Sequence, residues 1–186
     1  MHKTRIFHKN TFHHLYNRGV NKELIFFEKE NYYYFLRKLK LYKEKYKVDI
    51  LAYSLMPNHF HLFVKQNSEE LTISSFISSI LNSYVKSINK MHKRSGTLFE
   101  SKTKNKQIED ENYFVWIIKY ILENPVKAGL CKTILEYEFS NAKDLLGLRN
   151  GNLTNTDEVK SYFQSFDQMK EFLLSSSMHS NYKTDF

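Results

Sequence analysis

Residues 56–64 read Met-Pro-Asn-His-Phe-His-Leu-Phe-Val, MPNHFHLFV. Pro57 has no backbone N–H to give to a ladder, and Asn58 tolerates turn geometry, so 56–58 is a turn. The residues after it alternate as a strand, predicted over 59–66. Side chains two apart on a strand share a face. His59, His61 and Phe63 therefore lie on one side and Phe60, Leu62 and Val64 on the other, which is the expected core side. Residues 48–55 are apolar enough for a preceding strand, and the tight turn makes the two a hairpin. At the usual strand rise the two histidines are about 7 Å apart, close enough to lean onto one ion. Neutral imidazole is the commonest transition-metal ligand. A solvated strand face carrying two histidines is the plain alternative.

The pattern outward from the hairpin supplies the remaining elements. Residues 11–18 alternate as a first strand, closed by Gly19. Residues 29–47 carry Tyr32, Phe35, Leu36, Leu39, Tyr42 and Tyr46 at helical spacing. Residues 73–91 form a second long helix with Ile73, Phe76, Ile77, Ile80, Leu81, Tyr84, Ile88 and Met91 on its stripe. Arg94-Ser95-Gly96 breaks that pattern, and the basic segment 97–108 holds a fourth strand. A third helix is expected over 112–123. It should end near Asn124, because Pro125 disfavours helical geometry in the residue before it. Further helices are expected at 141–146 and 157–174, with a loose polar end at 175–186. The order β-α-β-β-α-β-α predicts an α+β protein, an antiparallel sheet with packed helices.

The third helix carries a second chemical candidate. Phe114, Ile117, Ile118, Ile121 and Leu122 define its apolar stripe, and Tyr120 and Asn124 fall on the flank, one turn apart. A phenol has a pKa of about 10 and is a poor nucleophile at neutral pH. Against a phosphodiester it needs in-line placement and a cation on the phosphate. Two histidines and the amide oxygen of Asn124 could hold that cation. A half-buried tyrosine with a helix-end asparagine is the bland reading of the same residues.

Composition sets the outer limits. The 186 residues are 41% apolar and 26% charged, which suits a folded domain. The single Cys131 excludes an internal disulfide and a cysteine-rich zinc module. No run approaches the roughly 18 apolar residues of a membrane span. The first nine residues are basic without an apolar core, so we expect no signal peptide, no membrane partner and a cytoplasmic protein. Twenty-eight Lys and Arg face twenty Asp and Glu, a formal charge of +8. This favours a polyanionic partner. Asn17, Arg18, Lys22, Lys102, Lys104 and Lys106 are the candidate DNA contacts. A charged solvent face is the default reading of such lysines.

Together these pieces resemble a known family. MPNHFHLFV resembles the histidine-hydrophobic-histidine strand of the HUH endonucleases. YNRG at 16–19, followed by IFF at 25–27, resembles the opening of the single-tyrosine IS200-like transposases. SGTLFESKTK at 95–104 and KYILENPVKAGL at 119–130 resemble the REP-associated tyrosine transposase branch. The resemblance runs from about Phe12 to Leu146, within a transposase-like domain over 1–150. Residues 151–186 are expected to be a helical extension and tail, either part of that domain or an appendage.

The resemblance implies a ferredoxin-like sheet core and binding of single-stranded DNA next to a hairpin. It implies Mg²⁺ or Mn²⁺ on His59, His61 and Asn124. It also implies attack by Tyr120 to leave a 5′-phosphotyrosine and a free 3′-OH, with later rejoining, by a monomer or a homodimer. Insertion-sequence relatives commonly carry Gln where this chain has Asn124, and Phe99 stands where many relatives have Trp. Two rivals remain. One is a replication initiator or relaxase with the same histidine chemistry. The other is a non-catalytic single-strand binder, which would show aromatic rings on an open sheet face.

Overall fold

The computed structural model describes residues 8–175. The expectations for the first seven residues and for 176–186 lie outside them. Four strands, β1 (Thr11–Arg18), β2 (Val48–Met56), β3 (His59–Gln66) and β4 (Lys104–Ile108), form one sheet in the order β2-β3-β1-β4. Every pairing is antiparallel. With α1 (Lys29–Tyr46) after β1 and α2 (Ile73–Met91) before β4, this is the ferredoxin-like arrangement. Among the described residues no helix is long and apolar enough to cross a membrane.

The sheet has two cores. Phe60, Leu62 and Val64 meet Leu15, Ile50 and Leu55 from the sheet, with Phe35 and Leu39 of α1 and Phe76, Ile80 and Tyr84 of α2. The expectation that only this side is core needs correcting. The histidine face is covered too, by α3 (Glu111–Lys127), α4 (Ala142–Leu145), α5 (Thr156–Lys160) and α6 (Phe166–Leu174). Phe63 is fully buried there against Phe114, their rings 4.9 Å apart. A β-bulge in β2 serves this second core. Ile50 pairs with Val64 and Ala52 with Phe63, so Leu51 is the extra residue, and both Leu51 and Ala52 turn toward α3.

The segment after α3 seals the edge strand β2. Asn141 is fully buried; its amide nitrogen donates to Leu51 O at 2.9 Å and its oxygen accepts from Tyr53 N at 2.9 Å. Leu55 N donates to Phe139 O and Asn155 N to Ile50 O. An edge strand left bare is a template for unwanted pairing, and these contacts occupy it. Residues 151–174 also add Val159, Met169 and Leu173 to the second core.

Two boundaries differ from expectation. Helix α3 does not stop before Pro125; the proline lies inside it. Only one carbonyl loses its donor when Pro occupies the last turn. The stop comes at Gly129, with φ of 71°, where Leu130 N donates to Pro125 O and Gly129 N to Val126 O. That is the double bond of a Schellman end, which favours glycine. The helix expected over 157–174 is two helices, with a fresh N-cap at Ser165 accepting from Gln168 N.

Candidate active site

The site begins at the turn between β2 and β3. Pro57 O accepts from Ile25 N and Phe26 N, and Asn58 O accepts from Gly19 N at 2.8 Å. Gly19 is needed for this approach, because a Cβ there would collide with the carbonyl oxygen of Glu23. The start of β3 is thus clamped before any ligand arrives.

His59 and His61 share one face, as the alternation predicts. Their ring centroids are 5.3 Å apart and their planes 89° apart. Cross-strand pairing adds neighbours on that face: Arg18 and Met56 opposite His59, Tyr16 and Ser54 opposite His61. His14, opposite Phe63, also belongs there. Its Nε2 lies 2.9 Å from His61 Nδ1, and the two ring planes differ by 17°. The sequence reading missed His14. Its signal was the period of β1, which places His14, Tyr16 and Arg18 on one face, but only the β1–β3 register shows which face.

All three imidazoles are held neutral. Burial lowers His14 to about 3, with help from the Lys106 charge. Burial and then Arg18 lower His59 to about 4. Burial, with His14 and His59 beside it, holds His61 well below its ordinary value. Neutral imidazoles are the form that binds metal.

Tyr120 comes to this face from α3. Its ring packs edge-on against His61 at 5.7 Å and 86°, and against His14 at 6.2 Å. Tyr120 is only 8% exposed, so the flank position read from the sequence is covered in the fold by the strand imidazoles. Trp116 stacks on Tyr120 at 5.1 Å, and the Lys127 ammonium lies 5.3 Å from the phenol ring centre. The Asn124 amide nitrogen donates to Tyr120 O at 2.8 Å, which turns its oxygen away from the helix backbone. Asp110 caps the start of α3 by accepting from Tyr113 N.

Among the described residues no three His, Cys, Asp or Glu side chains form a group that could hold a metal ion. A site here needs a different third donor. Neutral imidazoles are suitable donors for a divalent transition ion, and the side-chain amide of Asn124, one turn beyond Tyr120 on α3, is a candidate for the third.

The basic candidates divide. Lys104 pairs with Tyr16 and Lys106 with His14, so both stand on the histidine face of the edge strand β4. Lys106 Nζ donates to Tyr113 Oη at 2.9 Å. Arg18 Nε meets Glu100 at 2.6 Å. Lys102 is exposed and lines a cleft of about 1270 Å³ between α2 and residues 97–106. Lys22 is exposed beside the Asn58 turn, its carbonyl accepting from Asn58 Nδ2. Asn17 is buried, its amide donating to Ser101 O at 2.9 Å, and so ties β1 to the following loop.

The family profile described as "Transposase IS200 like" matches residues 10–124, more than half of the chain. The chain belongs to the IS200-like transposases. Among solved structures, a REP-associated tyrosine transposase bound to a REP hairpin is similar at 17% identity and a TM-score of 0.67. The match covers 83% of this chain and 93% of that one, and bears out the fold. A putative transposase from Deinococcus radiodurans matches at 15% identity and a TM-score of 0.45, over 65% of this chain and 95% of the other. No curated protein matches.

Proposed function

We propose that this transposase nicks and rejoins single-stranded DNA with Tyr120 as nucleophile, as in the REP-associated branch. The observation that carries the reading is the edge-on contact of Tyr120 with His61, which sets the phenol of α3 beside the histidine pair of β3. In the proposed step Tyr120 Oη bonds to phosphorus as the P–O3′ bond breaks. The phenol loses its proton and the departing 3′ oxygen gains one. The ester keeps the bond energy, so a second 3′-OH can reverse the step.

His59, His61 and Asn124 would hold Mg²⁺ or Mn²⁺. When bound, the ion would draw charge from the phosphate oxygens. Neutral His59 and His61 keep their lone pairs for it. Lys104 and Lys106 on β4, with Arg18 beside His59, would hold the DNA backbone at the same face. The similar transposase bound to a REP hairpin supports a hairpin-flanked substrate for this chain. A non-catalytic binder of the sheet type is less well supported, because Tyr16, Tyr53, Phe60 and Phe63 are buried and Phe12 is partly buried against the second core.

The test is incubation of the protein with labelled single-stranded hairpin substrates and Mn²⁺, resolved on a denaturing gel. A labelled protein band that disappears with chelator supports the reading. Binding of the same DNA without cleavage or adduct, across substrates and metals, would move the chain to the binding class.

A further inference from the structure

Of the two buried histidines of β1, His13 and His14, it is His14 that meets the histidine pair of β3. His14 is nine-tenths or more buried, and its Nε2 faces His61 Nδ1 at 2.9 Å. A hydrogen bond between two neutral imidazoles has one donor and one acceptor, and its direction sets the tautomer of both rings. With Nδ1 of His61 engaged by His14, only Nε2 of His61 is left to ligate. Ligation through Nε2 requires the proton on Nδ1, so the bond must run from His61 Nδ1–H to His14 Nε2. His59 is arranged alike. Its Nδ1 lies 2.7 Å from Asn58 Oδ1, and that oxygen is assigned as acceptor because Asn58 Nδ2 donates to Lys22 O at 3.1 Å. Each strand histidine thus has a partner on Nδ1, which leaves Nε2 as the nitrogen that would ligate; in His61 that atom is buried. A ring nitrogen partner of this kind fixes the orientation and basicity of a metal-binding imidazole.

We propose that His14 is a positioning residue for the metal site: it accepts the Nδ1 proton of His61 and so holds His61 in the tautomer that can bind a divalent ion through Nε2. This rests on the reading of His59 and His61 as ligands. His14 itself is spent on His61, in keeping with the absence of a three-histidine metal group among the described residues.

The test compares wild type, His14→Phe, His14→Gln and His59→Ala for Mn²⁺ affinity by electron paramagnetic resonance titration. Folding is checked by thermal melting. Phe keeps a ring but no acceptor, whereas Gln restores an acceptor oxygen. His14→Phe should weaken Mn²⁺ binding by about 10- to 100-fold, and His14→Gln should recover most of it. Phe binding as tightly as wild type would overturn the inference, and so would equal losses in Phe and Gln, which would mean packing alone. Should His14→Phe fail to fold, nitrogen-15 shifts of the wild-type His61 ring decide. A proton on Nδ1 in the metal-free protein supports the inference, and a proton on Nε2 with metal added overturns it. Wild type that binds no Mn²⁺ would overturn the ligand reading and this inference together. Normal wild-type binding, lost in His59→Ala but untouched in His14→Phe, would overturn the His14 role alone.

Discussion

The indole of Trp116 lies 5.1 Å from the phenol ring of Tyr120, their planes 15° from parallel. Tyr113 stacks on the same indole at 5.2 Å and 13°, so the three rings form a ladder along α3. The ladder fixes the direction in which the Tyr120 hydroxyl leaves the helix. Trp116→Ala should therefore slow single-turnover cleavage by on the order of 10²-fold, the usual effect of a nucleophile misplaced by about 1 Å. Trp116→Phe should lose much less. Affinity for DNA should change little in either. Cleavage by Trp116→Ala at the wild-type rate would show that stacking does not position the nucleophile.

The buried histidines make the metal-free protein acid-sensitive. His14, His59 and His61 have pKa values lowered in the fold, and burial also lowers His13. In the unfolded chain each titrates near the ordinary value of 6.5. Below that value the unfolded state takes up protons that the folded state refuses, so stability falls as pH falls. The contribution is complete above about pH 7 and drains away downward toward the folded values. Each strongly shifted histidine should remove about 2 kcal/mol between pH 7 and pH 5, or about 6 kcal/mol for the three. Urea unfolding in the presence of chelator measures this. Stability that is flat or rising toward pH 5 would mean that the imidazoles are charged in the fold.

Asn141 is the seal on the edge strand. Asn141→Ala removes the partners of Tyr53 N and Leu51 O at the bulge. Leaving buried backbone groups unsatisfied costs about 1–3 kcal/mol each, so a total loss of about 2–6 kcal/mol is expected for the two. Chemical denaturation gives the value. A loss below about 0.5 kcal/mol, the ordinary range for a surface change, would mean that other groups satisfy this backbone.

How much of this was legible beforehand follows from the period of each element. β1, β3 and α2 have strong alternation or a strong stripe, and their bounds came out as read. Pro125 misled, because a proline in the last turn breaks a single bond, while the sequence rule treats it as a stop. The break at Ser165 was hidden because both sides continue a helical pattern. Strand and helix periods put His59 and His61 on one face and Tyr120 on a helix flank, but the family resemblance, not the periods, singled them out. That they meet could not be read from the periods, since it depends on α3 crossing the histidine face. The bond from Asn17 to the Ser101 carbonyl was not legible, because a polar residue on a strand end gives no sign that a loop backbone will bury it. His14 needed the register of β1 against β3, which local pattern does not contain.

Lys104 stands on the histidine face of the edge strand and is exposed. With a formal charge of +8, binding of single-stranded DNA should weaken steeply with salt. Lys104→Ala should flatten the log–log salt slope by about 0.7, the value of one phosphate contact on a single strand. The loss should be similar for unrelated sequences, because a phosphate contact carries no base information. Fluorescence anisotropy over a salt series measures both. An unchanged slope would place this lysine outside the DNA path.

Under the proposed function Tyr120 becomes covalently bound to DNA. The direct measurement is mass spectrometry of the protease-digested adduct formed with a single-stranded hairpin substrate and Mn²⁺, alongside Tyr120→Phe. The expected result is a nucleotide on the peptide containing Tyr120, and a variant that binds DNA and metal but forms no adduct. An adduct on another tyrosine, such as Tyr113, or an adduct formed by Tyr120→Phe, would contradict it.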